Sequence, residues 1–544
     1  MSLFDRVADE ARRRVLRPLE DVAALARSGV LRPLTPRTTF EVARQFLKEG
    51  VKMHLVYTLH ATQSPSKPAI VFEDTVRTWS QLMDRIRRLS NHLTAWGVRP
   101  GNTVAIMLPN RPEFIEANAA AMRIGATVAY LNPRMPASEA RALLSRTGAR
   151  VLVTHREDIN ANARTLFVPT YYEGALAAAP SNEPDVPRGA EGKVVVFTSG
   201  TTGRPKGAVR STESMASPAL FTGFLRTIPL RMSDVHLVVC PMYHSSGSGF
   251  ATAGLLMGNT CVIVEKFSPE AFCRAVETHK VTTTAVVPTM LHQLTAWPDA
   301  KHYDLSSLRV VVCTGAALRE EVREAARDLL GEVVYDLYGS TEMAWVSVAT
   351  PDDQRRKPGS VGRPVPGVDI RIVGPDGREV EPGQPGEIWA GSSLGMQGYL
   401  DDPELQAERM KSGYVSVRDI GYIDDEGYLF VVDRADDMII SGGVNVYPAE
   451  TEIALESNRK VKESAVVGVP DPRWGEKIVA AVVARETVTD EELIDWCKQK
   501  LAYAAVPKEI RLVDELPRND VGKVDKKRLA KEWPSRREAK GDER

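Results

Sequence analysis

Cysteine is scarce in this chain and shows no pattern. Five cysteines are present, an odd number without a C-x-x-C pair, so neither a disulfide framework nor a zinc site is indicated. Long apolar runs are also lacking, because none approaches the roughly 20 residues that a membrane-spanning helix needs. The N-terminus has no apolar signal-peptide core. We therefore expect a protein of the reducing cytoplasm.

An excess of charge of either sign is absent as well. The 544 residues include 70 Lys and Arg against 71 Asp and Glu, and no arginine-rich stripe is present, so a nucleic-acid partner is not expected. Hydrophobic residues make up 43% and charged residues 26% of the chain, a globular mixture that excludes a disordered or collagen-like chain. The length exceeds that of one hydrophobic core, which predicts two or more domains.

The first residues of the chain carry an amphipathic pattern. Apolar residues recur every four positions, at Leu3, Val7, Ala11, Val15 and Leu19. Arginines at positions 12 to 14 lie beside this stripe, which predicts an amphipathic helix within an N-terminal extension of residues 1–67. Two interpretations stay open: the helix packs on the main body, or its basic face contacts a membrane surface. Acidic residues interrupt the basic run and argue against a mitochondrial transit peptide.

From residue 68 onward, strand patterns alternate with helix patterns. Apolar segments such as "NTVAIML", "ATVAYL" and "ARVLVTH" are separated by helical segments such as "RPEFIEANAAAMRIG", and the rhythm returns between "DVHLVVCPMY" and "EVVYDLYG". Repeated βα units predict an α/β fold with parallel sheets. After about residue 365 the Pro- and Gly-rich sequence indicates short strands and turns. A compact α+β segment follows Arg434, and we expect a disordered tail over residues 531–544.

One strand runs into an unusual loop. In "VVVFTSGTTGRPKG", residues 194–207, four apolar residues lead into small and hydroxylated residues and end near a lysine. Bare backbone N–H groups and hydroxyls of this kind hold phosphate oxygens, and a lysine adds a point charge. Lys206 follows Pro205, where a Walker loop requires glycine. The glycine content alone fits a phosphate clamp and a flexible surface loop about equally well.

The string "TSGTTGRPKG" resembles the signature loop of the adenylate-forming superfamily, which includes acyl-CoA synthetases, nonribosomal adenylation domains and luciferases. Ten matching positions are far more specific than a lone Gly-x-Gly. The resemblance implies an enzyme that binds ATP and releases AMP, with the phosphates held by this loop. The implied loop ligands are Thr198, Ser199, Gly200, Thr201, Thr202, Gly203 and Lys206, with Thr201 also catalytic.

The motifs "YGSTE" and "CTGAAL" extend the resemblance in the family's order. The first implies that Tyr338 stacks on adenine, Thr341 bonds a phosphate oxygen and Glu342 holds Mg²⁺. An aromatic face suits a purine, and a hard cation favours carboxylate oxygen. The other nucleotide-site residues implied here are Gly315, Ala316, Ala317, Asp336, Gly339 and Ser340.

A third nucleotide motif lies in "YVSVRDIGYIDDEGYLFVVDR", where relatives usually read T-G-D. Val417 and Arg418 replace the threonine and glycine, while Asp419 remains. The resemblance makes Asp419 the acceptor for both ribose hydroxyls, a role that suits two carboxylate oxygens. It places Arg434 near the ribose and phosphate, with a surface ion pair as the alternative. Asp436 aligns with the family's hinge residue.

The segment after the hinge resembles the family's small C-terminal domain. Its motifs "MIISGGVNVYPAETE" and "PDPRWGE" imply a coenzyme A channel. The implied channel residues are Ser441, Gly442, Gly443 and Trp474. A turn tryptophan that covers core is the alternative for Trp474. Val444 stands where relatives commonly have glutamate, and we have no physical account of that exchange.

The motif "LPRNDVGKVDKKRL" implies a catalytic lysine, Lys523, that bridges the substrate carboxylate and the α-phosphate. The whole resemblance implies a large adenylating body of several αβ and β subdomains, residues 68–434, and a small mobile α+β lid, residues 435–530. In the implied reaction a carboxylate attacks ATP, giving an acyl-adenylate and pyrophosphate. The lid then rotates about Asp436, removes Lys523, and a thiol displaces AMP.

Coenzyme A is the expected thiol. Nonribosomal adenylation domains hold their amino acid through an acidic residue near the region that reads "CPMYHSSGSGF" in this chain, and no aspartate occurs there. Two alternatives stay open: a stand-alone enzyme that loads a carrier-protein thiol, and a non-catalytic nucleotide-binding or membrane scaffold. The joint presence of the motif residues Lys206, Glu342, Asp419, Arg434 and Lys523 argues against the scaffold.

The acid is expected to carry an apolar group. Small residues after His244 leave space for an apolar tail, which favours a medium- to long-chain fatty acid and places an aromatic or sterol-derived acid second. His244 aligns with the family's aromatic or histidine gate beside the carboxylate and is counted among the implied catalytic residues. The predicted acyl pocket comprises Tyr243, His244, Gly247, Met290, Met343 and Trp345.

Overall fold

A computed structural model describes residues 17–50, 52–190, 192–198, 205–211, 218–441, 444–518 and 524–533. The chain divides into two compact units. The first comprises Met1–Ile370 and Ala390–Val415, and the second comprises Arg371–Trp389 and Ser416–Arg544. The predicted domain boundary between residues 434 and 435 stays a prediction.

Three helices precede the first strand. They are α1 (Arg17–Ser28), α2 (Pro36–Glu49) and α3 (His54–Gln63). Thr35 caps α2, because its hydroxyl accepts a hydrogen bond from the N–H of Thr38 at 3.2 Å, and a proline follows at the first helical position. Gly50, with a φ of 84°, ends α2. Of the predicted amphipathic stripe, Leu19 lies in α1, and positions 3 to 15 lie outside the described residues.

Strands and helices then alternate, as the sequence predicts. As far as residue 211 they are β1 (Pro68–Phe72), β2 (Thr75–Thr78), α4 (Trp79–Ala95), β3 (Thr103–Met107), α5 (Pro112–Arg123), β4 (Thr127–Tyr130), α6 (Ala137–Thr147), β5 (Ala149–Thr154), β6 (Arg164–Phe167), α7 (Tyr172–Ala178), β7 (Lys193–Thr198) and β8 (Lys206–Ser211). From residue 218 to residue 349 they are α8 (Pro218–Thr227), β9 (Val235–Val238), α9 (Ser245–Leu256), β10 (Thr260–Ile263), α10 (Pro269–His279), β11 (Thr283–Val286), α11 (Pro288–Ala296), β12 (Val310–Thr314), α12 (Glu320–Leu330), β13 (Val334–Ser340) and β14 (Ala344–Ala349).

Shorter elements follow, in agreement with the Pro- and Gly-rich sequence after residue 365. They are α13 (Pro351–Arg356), β15 (Arg363–Pro364), β16 (Asp369–Val373), β17 (Gly386–Gly391), β18 (Gly398–Tyr399), α14 (Pro403–Arg409), β19 (Met410–Lys411) and β20 (Tyr414–Ile423).

Two sheets build the first unit. One has the strand order β18-β8-β7-β4-β3-β5-β6, with β7, β4, β3, β5 and β6 parallel. The other has the order β15-β14-β13-β12-β11-β9-β10-β1-β2 and is parallel from β13 to β1. Every residue of β3, β11 and β12 is buried, as expected of parallel strands covered on both faces. The predicted α/β class is confirmed.

The second unit contains a mainly antiparallel sheet with helices. Its elements after β20 are β21 (Leu429–Arg434), β22 (Ile439–Ser441), β23 (Val444–Val446), α15 (Pro448–Glu456), β24 (Val461–Asp471), β25 (Gly475–Ala484), α16 (Asp490–Lys500), β26 (Glu509–Leu512) and α17 (Lys526–Glu532). The strand order is β23-β22-β25-β24, with β26 parallel to β25. Apolar residues of β24, β25, α15 and α16 form the core, which matches the predicted α+β segment.

All five cysteines are free and buried. Cys313, for example, lies on β12, and burial raises its pKa well above the usual range. Such thiols behave as small apolar side chains. Among the described helices, none is long and apolar enough to cross a membrane.

Candidate active site

The carboxyl ends of β12 and β13 lie side by side. The strands run parallel with Thr314 opposite Leu337, so the segments that follow them emerge at one edge of the sheet. Residues 315–317 after β12 are exposed, and Gly315 has a φ of 92°, which favours glycine. Tyr338 lies near the end of β13. This edge brings the two predicted adenine-binding segments together.

A tight turn after β13 carries the predicted phosphate and metal ligands. A Cβ on Gly339 would lie 2.0 Å from the carbonyl oxygen of Ala344, so the close approach of the two backbones requires glycine. The Ser340 hydroxyl accepts hydrogen bonds from the N–H groups of Glu342 at 3.2 Å and Met343 at 2.9 Å. These contacts fix the backbone that presents the predicted ligands.

Thr341 is linked to the start of α9. Its Oγ1 lies 3.0 Å from Oγ of Ser245, the first residue of that helix. His244 is the N-cap of α9, and its ring centroid lies 4.5 Å from that of Tyr243. The hydrogen bond therefore places the predicted phosphate ligand beside the predicted carboxylate gate.

The loop before α9, residues 239–244, is held by the buried side chain of Asn110. Its Nδ2 donates to the carbonyl oxygens of Cys240 at 3.1 Å and Val264 at 3.2 Å, and its Oδ1 accepts from the N–H of Met242 at 2.8 Å. A buried amide with its groups satisfied in this way holds one loop conformation. Sequence reasoning missed this residue, although it follows β3 closely and parallel strands often end at sites.

Glu342 is buried beside a phenol and a guanidinium. The Tyr399 hydroxyl donates to Glu342 Oε1 at 3.4 Å. Arg210, on β8, donates through Nη2 to the carbonyl oxygen of Ser340 at 3.5 Å. Burial lowers the pKa of Arg210 to about 10, and the charge of Glu342 acts in the opposite direction. Neither Arg210 nor Tyr399 was predicted from the sequence, and both belong to the surroundings of the predicted metal ligand.

The signature loop is described only at its two ends. Thr198 on β7 pairs across the sheet with Lys206 on β8, and Arg146 donates to the carbonyl oxygen of Pro205 at 2.7 Å. The other predicted loop ligands lie outside the described residues, and so do three residues of the second unit. These are Ser199, Gly200, Thr201, Thr202 and Gly203 in the loop, and Gly442, Gly443 and Lys523 in the second unit.

Asp336 lies on β13 in a buried ion pair. Its Oδ2 is 3.5 Å from Nη2 of Arg323 on α12. Burial raises the pKa of Asp336 to about 7, although the charge of Arg323 acts to lower it. The pair joins β13 to α12 two residues before Tyr338, which gives Arg323 a supporting position that the sequence did not reveal.

The residues predicted to line an acyl pocket belong to different clusters. Trp345 stacks on Phe224 with ring centroids 4.1 Å apart, and the Phe250 ring lies 5.8 Å from Trp345. Met290, on α11, packs against the core on one face of the sheet that contains β12, and Trp345 packs against the core on the opposite face. Met343 is buried. The structure thus puts aromatic surface next to the turn after β13 and sets Met290 in another cluster.

Gly247 serves close packing at the start of α9. A Cβ there would lie 2.1 Å from the carbonyl oxygen of Pro241, so a side chain at this position has no room. The absence of a side chain brings the helix onto the preceding loop. It therefore accounts for the loop geometry around His244 without providing space for a substrate tail.

The predicted ribose ligands are neighbours in the second unit. Asp419 on β20 pairs with Arg434 on β21, and Arg434 Nε lies 3.4 Å from Asp419 Oδ1. Arg434 also donates through Nη2 to the carbonyl oxygen of Val417 at 3.3 Å. Arg418 has a φ of 64°, which is the left-handed region that favours glycine. Arginine thus occupies a conformation that glycine adopts more readily, at the position where the family resemblance expects glycine.

Trp474 lies in a small aromatic and basic cluster of the second unit. Its ring centroid is 6.3 Å from that of Tyr503. Lys508 Nζ lies 5.6 Å from the Trp474 ring centroid and 4.3 Å from that of Tyr503. Ser441 pairs with Gly475 across β22 and β25, which brings the predicted channel residue Ser441 near this cluster. Tyr503 and Lys508 were not predicted from the sequence.

The described side chains could supply only part of the ligands that a divalent cation needs. Within the described ranges, no group of three or more His, Cys, Asp and Glu side chains is arranged to hold a metal ion. Mg²⁺ commonly takes one or two carboxylates and completes its coordination with water and substrate phosphates. The single carboxylate of Glu342 fits that manner of binding.

Two family models match the sequence. Residues 58–400 match the AMP-binding enzyme family, and residues 450–523 match the AMP-binding enzyme C-terminal domain. The first match alone covers more than half of the chain. The chain belongs to the AMP-binding enzyme family. Membership confirms the adenylate-forming resemblance, the fold class and the prediction of an enzyme.

The relatives of this chain are named for different carboxylic acids. A feruloyl-CoA synthase of an Amycolatopsis species is 38% identical over 474 residues, covering 85% of this chain and 95% of that protein. A long-chain-fatty-acid–CoA ligase of Mycobacterium tuberculosis is 32% identical over 491 residues, covering 87% of this chain and 97% of that protein. The o-succinylbenzoate CoA synthetase of Bacillus subtilis, solved with its acyl-adenylate, aligns with a TM-score of 0.77 and 29% identity over 87% of this chain and 97% of that one.

Proposed function

We propose that this member of the AMP-binding family is an AMP-forming ligase that joins an apolar carboxylic acid to coenzyme A through an acyl-adenylate. The observation that carries the proposal is the 3.0 Å hydrogen bond between Ser245 and Thr341. It sets the turn after β13, with the predicted nucleotide residues, against the loop with the predicted carboxylate gate. A reaction between a phosphate and a carboxylate requires this juxtaposition.

The first step is adenylation. A carboxylate oxygen attacks the α-phosphorus of ATP, and pyrophosphate leaves. The chain contributes position and charge: the Thr341 hydroxyl donates to a phosphate oxygen. The cations Lys206 and Arg210 lie on β8 of the other sheet, and Arg210 reaches the turn through the carbonyl oxygen of Ser340. Glu342 would hold Mg²⁺, which when bound neutralises charge on the phosphate oxygens.

The second step is transfer to the thiol. The sulfur of coenzyme A attacks the acyl carbonyl carbon, and AMP leaves. The cluster around Trp474 supports coenzyme A as the acceptor, because aromatic faces stack on adenine and cations pair with phosphates. Arg473 lies 5.0 Å from the Trp474 ring centroid, and burial lowers the pKa of Lys508. Both side chains offer positive charge beside aromatic rings.

Two classes of carboxylic acid are candidates for the substrate. A medium- to long-chain fatty acid stays our prediction from the small residues after His244, and the mycobacterial relative supports it. An aromatic acid is the second candidate. The stacked rings of Trp345 and Phe224 favour it, because a planar ring packs well against aromatic surface, and the feruloyl-CoA relative has the higher identity. The close packing at Gly247 removes part of the reason for a long tail.

The test is a screen for acid-dependent AMP release by the purified full chain. The panel contains fatty acids of increasing length, hydroxycinnamic and arylacetic acids, and polycyclic acids, each with and without coenzyme A. We expect release that requires an apolar acid and ATP and that rises with coenzyme A, and we expect the preferred class to have the highest kcat/KM. The Thr341→Val variant is the matched control for the role of the Thr341 hydroxyl, because it removes that hydroxyl and keeps a similar side-chain volume.

Two other functions remain outcomes of the same screen. Release that rises with a carrier protein and not with coenzyme A would identify an enzyme that loads a carrier thiol. No release with any acid, together with retained ATP binding, would identify a nucleotide-binding scaffold. Either result would overturn the CoA ligase proposal.

A further inference from the structure

Helix α2 buries polar side chains and exposes apolar ones. Gln45 and Glu49 are 2% and 1% exposed, whereas Phe40 and Leu47 are 64% and 69% exposed. A helix on the surface of a globular protein normally turns its apolar stripe inward. The orientation of α2 is the reverse of this rule.

Specific polar contacts hold α2 in that orientation. The Thr58 hydroxyl on α3 donates to Gln45 Oε1 at 2.7 Å, and Glu49 Oε2 lies 3.1 Å from His54 Nε2. Rotating the helix to bury its apolar side would break the Gln45–Thr58 hydrogen bond and would place apolar side chains against Thr58 and His54, which are buried on α3, at a cost in free energy. The apolar side therefore faces outward because the polar side is fixed.

The exposed side forms an apolar ridge with a basic edge. Phe40, Ala43 and Leu47 lie on one side of α2 at spacings of three and four residues. Arg37 and Lys48 flank them, and among the described residues neither has an ionic partner. The acidic residue on this side, Glu41, is occupied by Arg44 at 2.8 Å. The edge thus carries net positive charge.

Exposed apolar residues are concentrated in this part of the chain. Of the twelve large apolar side chains with high exposure among the described residues, six lie between Val22 and Leu47. The match to the AMP-binding family begins only at residue 58. The family's reaction therefore does not explain why these side chains are exposed to water. Contiguous exposed apolar surface marks a contact site.

We propose that α2 lies on an anionic lipid bilayer, with the ridge of Phe40, Ala43 and Leu47 inserted at the headgroup boundary and Arg37 and Lys48 facing lipid phosphates. Aromatic and leucine side chains favour this boundary, and basic residues beside them are attracted to anionic lipid. A second copy suits the ridge less well. An antiparallel two-fold contact between two copies of α2 would bring the basic edge of one copy against that of the other.

Co-sedimentation of the full chain with vesicles tests this surface. The vesicles are phosphatidylcholine alone or phosphatidylcholine with about 30% phosphatidylserine. We expect binding to the anionic vesicles that weakens as salt rises. The double variant Phe40→Ser/Leu47→Ser should lower the partition coefficient at least about tenfold, and Arg37→Glu/Lys48→Glu should lower it similarly on anionic vesicles alone.

Matched variants keep the test specific. Ile453 in the second unit is 70% exposed, so Ile453→Ser removes exposed apolar surface elsewhere and should bind vesicles like the unaltered chain. Leu3→Ser/Val7→Ser in the full chain tests the N-terminal stripe, and it should also retain binding. Thermal melting checks that the substitutions at exposed positions leave the fold intact, and the charge variant gives a second measure if the ridge variant melts early.

Three results would overturn the proposal. The first is no binding of the unaltered chain to anionic vesicles. The second is loss of binding in Leu3→Ser/Val7→Ser with full binding in the ridge variant, which would move the contact to the N-terminal stripe. The third is a dimer in sedimentation velocity that the ridge variant converts to monomer without any vesicle binding, which would make a second copy the occupant.

Discussion

Asn110 and Met242 are 132 positions apart in the sequence, and the Asn110 side chain accepts a hydrogen bond from the Met242 N–H at 2.8 Å. The same amide donates to the carbonyl oxygens of Cys240 and Val264. One side chain thereby ties the end of β3 to the loop that leads into α9. The predicted carboxylate gate, His244, lies at the end of that loop.

We expect Asn110→Ala to loosen this loop. The substitution leaves buried carbonyl and N–H groups without partners, so the free energy of unfolding should fall by about 2–3 kcal/mol. The kcat/KM for the acid should fall more than that for ATP, because the loop lies on the side of the predicted carboxylate gate. Urea unfolding and steady-state kinetics with each substrate varied provide the measurement.

The control for this variant is Asn118→Ala. Asn118 Oδ1 accepts a hydrogen bond from the Tyr130 hydroxyl at 2.8 Å, so this variant also loses a buried amide in the first unit. It should lower stability without a selective effect on the acid. If the two variants changed kcat/KM for the acid and for ATP in the same way, Asn110 would have no positioning role.

Glu342→Gln tests the predicted metal ligand. A neutral amide is a poorer ligand for a hard cation, so the Mg²⁺ concentration for half-maximal acyl-adenylate formation should rise by about tenfold or more. Tyr399→Phe removes the 3.4 Å hydrogen bond to Glu342 and keeps the carboxylate, so it should change the Mg²⁺ dependence far less. Identical Mg²⁺ titrations for Glu342→Gln and the unaltered chain would remove Glu342 from the metal site.

The sequence predicts what is encoded locally. The strands and helices around β3, β12 and β13 follow from runs of apolar residues and their period, and the motif that contains Tyr338 is contiguous. Arg210 and Tyr399 were missed because they reach the turn after β13 from strands far away in the sequence. Tyr399 is 57 positions from Glu342, and no local pattern encodes such a contact.

Local patterns also fail where tertiary contacts override them. A surface helix usually turns its apolar side chains inward, yet on α2 the hydrogen bond of Gln45 and the contact of Glu49 with His54 lie on the buried side. At Arg418 the backbone keeps a φ of 64°, a conformation that disfavours a non-glycine residue by about 1–2 kcal/mol. An arginine in the sequence gives no sign of such a backbone conformation.

Buried histidines make stability depend on pH. Burial lowers the pKa of His60 and His236 to about 4, below the usual value of 6.5. Between pH 6.5 and 4 the unfolded chain binds protons that the folded chain does not, so stability is full above pH 6.5 and decreases as the pH falls toward 4. Each histidine should account for up to about 3 kcal/mol.

Urea unfolding of the full chain at pH values from 7.5 to 4.5 measures this dependence. His236→Gln should flatten the decrease, because it removes one titrating group. His302→Gln serves as the control, since the His302 side chain is 78% exposed, and it should leave the slope unchanged. Equal slopes for His236→Gln and the unaltered chain would exclude His236 as a source of the pH dependence.

The variants Lys523→Ala and Asp436→Pro test whether the two half-reactions use different conformations. Lys523 lies outside the described residues, and its role comes from the family motif. If it neutralises charge only while carboxylate and α-phosphate meet, Lys523→Ala should slow adenylation by about a hundredfold, or on the order of 3 kcal/mol, by analogy with the loss of one oxyanion donor. Thioester formation from synthetic acyl-AMP and coenzyme A should proceed near the unaltered rate.

Asp436→Pro should give the opposite pattern. Residues Ala435–Asp437 form a 3-10 turn, and such turns have φ between about −50° and −70°, which a proline ring adopts readily. The substitution therefore fixes φ at this turn and opposes a rotation that changes φ at the hinge. Single-turnover kinetics of both steps in both variants is the measurement. Equal slowing of both steps by Lys523→Ala, or no slowing of either by Asp436→Pro, would contradict a mechanism that alternates between two conformations.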